Sequence, residues 1–236
     1  MRTLICLHGW GGSKESFTEL RNALKDTNIA VLTPDLPGFG EEAEPKTPMT
    51  VDDYANWVIQ WMSTQDISND WMLLGHSHGG RISIKLVTEK GQTPSHLFLC
   101  AAAGIRHPRH IKRILGLILA KGGKVFFSIP GLRKVEPLGK KILYKLVRVH
   151  DYERASEVMR KTLIKVSQEN LRSNLQNIHI PTDLFWGVND GMTPFSDAII
   201  MEEEIPNAIL HRYEGVRHRV HRDKAAEIAH VIASYL

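Results

Sequence analysis

The chain has 236 residues, room for one domain of ordinary size with an insertion. With 42% hydrophobic and 24% charged residues it has a globular composition, which excludes a disordered chain. The formal net charge is only +4, and the longest apolar run, Ile114–Ala120, falls far short of the roughly 20 residues a membrane-spanning helix needs.

In chain order, Thr3–His8 is a short apolar run of strand character, broken by Gly9-Trp10-Gly11-Gly12. The apolar part is too short for a signal-peptide core, so the expected location is cytoplasmic. Ser13 is placed to cap a helix running to Leu24, and Ile29–Thr33 is a second strand ended by Pro34. After a loop rich in Pro and Glu, Thr50 and Asp53 form a capping-box pattern that opens a helix to about Thr64. Trp71–Leu74 is a third strand, Gly79–Lys90 a helix, and His96–Cys100 a fourth strand. Thr182–Trp186 and Ile209–Tyr213 are the fifth and sixth, and Lys224–Leu236 is a closing helix. Continuous apolar strands separated by helices predict an α/β domain with a mostly parallel sheet covered on both faces. Cys6 and Cys100 each sit in an apolar run and read as reduced core residues; no metal-ligand spacing occurs.

The alternation breaks between residues 104 and 175. This stretch reads as helices without a strand, so it is expected to be a helical cap inserted into a core of residues 1–103 and 176–236. It is also where the charge lies. Gly104–Arg148 holds 12 Lys and Arg against the single acid Glu136, a net +11, while the rest of the chain holds 18 basic and 25 acidic residues, a net −7. An acidic body with a basic insertion suggests a separate surface role for the insertion.

Three motifs carry chemistry, all at predicted strand ends. Gly75-His76-Ser77-His78-Gly79 is G-x-S-x-G between a strand and a helix. The spacing makes a sharp turn that puts Ser77 at its apex, and the flanking glycines let strand and helix approach. His8-Gly9-Trp10-Gly11-Gly12 follows the first strand; its small residues turn backbone N–H groups toward a ligand. An oxyanion hole needs two such donors, and the expected pair is the N–H of Trp10 and the N–H of His78. The side chain of His8 is expected to bond loop backbone, as is that of Asp35.

A serine needs a base, and the base a carboxylate to orient it. Asp190 lies just past the fifth strand and His218 just past the sixth. Both strand ends face the carboxyl edge of the sheet, where Ser77 also stands. The order Ser, Asp, His is the one the serine elbow requires. His221 is the main rival base, set back in what reads as a helix start. Asp183, inside a strand, and Asp197, after a Pro-containing turn, are the rival acids.

These motifs, together with Pro34-Asp35-Leu36-Pro37-Gly38-Phe39-Gly40, resemble the α/β-hydrolase superfamily over the whole chain except the insertion. The resemblance implies that fold with a helical cap after the fourth strand; the sequence departs from it in having only seven residues before His8, so a minimal sheet of about six parallel strands without the antiparallel edge is expected. It implies Ser77 as nucleophile, His218 as general base and acid, Asp190 as orienting carboxylate, and the amides of Trp10 and His78 as the oxyanion hole. The expected reaction is hydrolysis of short- to medium-chain carboxylic esters through an acyl-enzyme, without metal or organic cofactor. Thioester or acyl-carrier-linked substrates, carbon–carbon hydrolysis, peptidase activity and ligand binding without turnover use the same scaffold and stay open. The basic insertion fits a solvated face, an acidic carrier protein or an anionic lipid surface. It lacks the aromatic interleaving of a nucleic-acid platform.

Overall fold

The computed structural model describes residues 1–107 and 155–236. Six strands form one all-parallel sheet: β1 (Arg2–Leu7), β2 (Ile29–Leu32), β3 (Trp71–His76), β4 (His96–Cys100), β5 (Thr182–Gly187) and β6 (Ala208–Tyr213). They lie in the order β2-β1-β3-β4-β5-β6. The first step runs outward to β2, and the chain then returns past β1 to build the other side. The carboxyl ends of β1 and β3, on either side of that reversal, are where open α/β sheets place ligands. The central strands are buried, apart from Trp71 at the start of β3, because helices cover both faces.

The capping signals act as the sequence suggests. Thr50 Oγ1 accepts from the Asp53 N–H (3.1 Å), and Asp53 Oδ2 accepts from the Thr50 N–H (2.8 Å). This box opens α2 (Val51–Met62), which buries Val51, Tyr54, Ala55 and Val58. Ser13 caps a 3₁₀ turn, Lys14–Phe17, and only then does α1 (Thr18–Leu24) begin. The remaining α-helices among the described residues are α3 (His78–Glu89), α4 (Glu157–Gln168), α5 (Phe195–Glu204), α6 (Val220–Asp223) and α7 (Ala225–Ala233). Helix α5 is an addition to the sequence reading. Its N-cap is Pro194, which offers no side-chain acceptor, so the usual start signal is missing.

Most of the expected cap, residues 108–154, lies outside the described residues. The described remainder packs on the body. Met49 N–H donates to Thr162 Oγ1 (3.1 Å), Lys165 Nζ to Pro48 O (3.0 Å), and Lys85 Nζ pairs with Glu169 (2.6 Å). The two ends of the stretch meet: the Leu171 N–H donates to Gly104 O (2.8 Å), and the Arg106 N–H to Asn170 Oδ1 (3.1 Å). Cys6 and Cys100 are buried free thiols whose pKa values burial pushes up. No helix among the described residues is long and apolar enough to cross a membrane.

Candidate active site

Ser77 sits at the turn from β3 into α3 with φ 52° and ψ −109°, a conformation L-residues rarely adopt. Such strain persists only where neighbours over-determine the backbone. Here the Ser77 N–H donates to Cys100 O (3.1 Å), and Ser77 O accepts from Ala103 N–H (2.9 Å) and Arg81 N–H (3.2 Å). The glycines make room for this turn. A Cβ on Gly79 would lie 1.9 Å from Leu7 O, and one on Gly75 would lie 2.6 Å from Gly80 Cα.

The structure brings the three predicted side chains together. His218 Nδ1 is 2.8 Å from Asp190 Oδ2, and His218 Nε2 is 3.0 Å from Ser77 Oγ. Asp190 carries no proton to give at neutral pH, so Nδ1–H donates to it and Nε2 accepts the serine hydroxyl. Burial alone would raise the pKa of Asp190. The bonds from His218, the Met192 N–H and Thr193 outweigh burial and hold it below the usual carboxylate range. The Met192 and Thr193 N–H groups donate to Oδ1 (2.7 and 3.1 Å), leaving Oδ2 for the imidazole.

Two positioning groups are absent from the sequence reading. The Thr193 hydroxyl lies 2.8 Å from Asp190 Oδ2, 3.1 Å from Ala101 O and 3.3 Å from His218 Nδ1, buried between acid and base. A threonine three residues after the aspartate and just before Pro194 is the signal that marks it, since such residues bond neighbouring backbone and side chains in turns. The second is His76, whose Nε2–H donates to His218 O (3.0 Å). Its ring packs against His221 (centroids 3.7 Å, 32°), and His221 in turn meets the edge of Phe17 (5.5 Å). The rival base is thus buried behind His76, and burial drives its pKa down to about 3. The pairing of distant histidines has no one-dimensional signature.

The rival acids are engaged elsewhere. Asp183 bonds His96 (2.6 Å), Tyr235 (2.9 Å) and His211, and Asp197 bonds His107 (2.7 Å). His8 is fully buried: Nδ1–H donates to Gly9 O (2.8 Å) and Nε2 accepts from the Leu36 N–H (3.0 Å). Burial holds its pKa low, consistent with a neutral ring. Asp35 takes the N–H groups of Lys14 (2.5 Å) and Glu41 (2.9 Å) and so fixes the loop after β2.

The loop that carries Trp10 lies beside the serine, since a Cβ on Gly9 would be 3.1 Å from Ser77 Cβ. The Trp10 ring contacts His78 edge-on (5.6 Å) and Phe39 (4.9 Å). His78 opens α3, so its N–H lies in the helix's first turn, where amides lack an intrahelical acceptor.

A serine elbow on an all-parallel, helix-covered sheet of this strand order is the fold of an α/β hydrolase. The chain belongs to the family described as serine aminopeptidase, S33, whose model matches residues 1–225. Among curated proteins it is 23% identical to the uncharacterized hydrolase YugF of Bacillus subtilis, over 100% of this chain and 90% of that protein. It is also 23% identical to lipase 3 of a Moraxella species, over 91% and 71%. Among solved structures, an esterase from Exiguobacterium antarcticum superposes with a TM-score of 0.77 at 22% identity, over 100% of this chain and 91% of that one. That last likeness speaks to the fold alone.

Proposed function

We propose that this hydrolase cleaves carboxylic esters through a covalent acyl-serine. The observation that carries the reading is the continuous chain Ser77 Oγ–His218–Asp190, with links of 3.0 and 2.8 Å at one sheet edge. In this reading Ser77 attacks the ester carbonyl as its proton passes to His218 Nε2. Asp190 holds the ring and offsets the imidazolium charge. The Trp10 and His78 amides stabilise the tetrahedral oxyanion. The alcohol leaves with the proton from His218, and water, activated by the same imidazole, releases the acid. The stretch 104–175 serves as the cap that selects short- to medium-chain acyl groups.

The likeness to a lipase favours an ester over an amide, whereas the family's description names an aminopeptidase. Stoichiometric labelling by a serine-directed fluorophosphonate, lost in Ser77→Ala, tests the nucleophile. Comparison of p-nitrophenyl butyrate with alanine p-nitroanilide then tests the bond. Ester turnover exceeding amide turnover, and absent from Ser77→Ala, is the expected result. Full ester turnover by Ser77→Ala overturns the mechanism, and faster amide turnover makes the enzyme a peptidase.

A further inference from the structure

Asp190 and His218 stand on different loops, and the residue beside the acid ties those loops together. The loop after β5 and the loop after β6 meet backbone to backbone: a Cβ on Gly187 would lie 2.6 Å from Arg217 O and closer still to Val216 O. The Val188 N–H donates to Tyr213 O (3.0 Å), carrying the β5–β6 ladder one bond past β5.

Asn189 then grips the next two residues of the base loop. Its backbone N–H donates to Val216 O (3.0 Å), and its side-chain Oδ1 accepts the Gly215 N–H (3.0 Å). Gly215 takes φ 73°, although an added Cβ there would meet nothing within 4 Å. The glycine therefore serves conformation and not space. On the acid's side, the Asp190 N–H donates to Gly187 O (3.1 Å), closing a tight turn with Asn189 at its third position. The grip on the base loop is thus applied one residue from the carboxylate, within the same turn. His76 holds the far end of that loop at His218 O (3.0 Å).

We infer that Asn189 is a positioning residue of the triad, whose side chain fixes the separation of His218 Nδ1 from Asp190 Oδ2 (2.8 Å). The inference rests on the esterase reading above, in which His218 moves the proton. A short amide side chain can reach neighbouring loop backbone in this way. Asn189 is exposed, so water replaces its bond to Gly215 when the side chain is removed, and the fold loses little. The base loop, however, gains freedom relative to the acid, and proton transfer depends steeply on that geometry.

The test removes the side-chain acceptor and then restores it. Asn189→Ala lacks Oδ1, whereas Asn189→Asp keeps an acceptor in the same place. On p-nitrophenyl butyrate, with sites titrated by the fluorophosphonate, Asn189→Ala is expected to lower kcat roughly 5-fold, the loss of about one hydrogen bond. KM changes little, because substrate binding does not require a poised base. Asn189→Asp recovers most of the rate. A second readout needs no turnover: the downfield proton signal of the His218 Nδ1–H bond to Asp190, observed with isotope-labelled histidine and assigned by its loss in Asp190→Asn. It is expected to broaden in Asn189→Ala and to sharpen again in Asn189→Asp, while the signals of the His96 and His211 bonds to Asp183 stay unchanged. Unchanged kcat per titrated site in Asn189→Ala, equal losses in the Ala and Asp variants, an unaltered His218 signal, or equal broadening of all three signals overturns the inference. If Ser77→Ala still hydrolyses esters, the mechanism above falls, and the proton signals alone decide whether Asn189 holds acid to base.

Discussion

His76 Nε2 donates its hydrogen to the backbone oxygen of His218, across 142 residues of chain. The residue just before the serine thus holds the loop that carries the base. Replacing it with Phe keeps a ring against His221 but removes the donor. A single hydrogen bond of this kind is worth about 1 kcal/mol. His76→Phe is therefore expected to lower kcat roughly 5-fold with KM little changed, measured on p-nitrophenyl butyrate.

Thr193 bridges acid and base. Thr193→Val removes the hydroxyl at constant shape and leaves Asp190 Oδ2 with one donor fewer. We expect fluorophosphonate labelling and ester turnover to slow about 10-fold, with recovery in Thr193→Ser, which restores the hydroxyl. Loss in the Ser variant with activity kept in the Val variant points instead to the methyl group, and so to packing.

Gly79 and Gly191 make opposite predictions. A methyl at position 79 meets backbone, the Leu7 carbonyl, which cannot move aside without shifting β1. Gly79→Ala is expected to destabilise the fold by about 3 kcal/mol, read from urea unfolding. At position 191 nothing lies within 4 Å of the added Cβ, so Gly191→Ala stays within about 0.5 kcal/mol of wild type.

Acid stability reports on the opposite end of the sheet. Burial would raise the pKa of Asp183, but bonds from His211, His96 and Tyr235 outweigh it and bring it down to about 2. A carboxyl whose folded pKa lies below its unfolded value near 3.9 stabilises the fold fully above about pH 4, and that contribution fades as pH falls toward 2. The shift corresponds to about 2 kcal/mol. Asp183→Asn should be less stable than wild type at pH 7, and the gap should narrow by that amount at pH 2. Chemical denaturation at the two pH values measures it.

The strand alternation was readable because the central strands β1, β3, β4 and β5 are short, mostly apolar and buried, the pattern a doubly covered parallel sheet imposes. The positions of Ser77, Asp190 and His218 were readable because strand ends of a parallel sheet converge on one edge, so proximity in space follows from position along each repeat. Helix α5 was hidden because its start has no side-chain cap, and its acidic run Glu202-Glu203-Glu204 masks the apolar face that buries Ala198 and Met201. The His76–His221 stack depends on which loops fold over one another, and local pattern carries no information about that. The helical reading of residues 108–154 lies outside the described residues.

The bond from the Leu171 amide to the Gly104 oxygen ties off the base of everything between them. Loop-closure entropy grows only with the logarithm of length, about 0.6 kcal/mol per doubling. Segments of very different size can therefore be grafted onto this stem at nearly constant thermodynamic cost, with the sheet and its serine undisturbed. Under the proposed function, selectivity can then diverge by exchange of a single cassette, while the proposed triad is inherited whole.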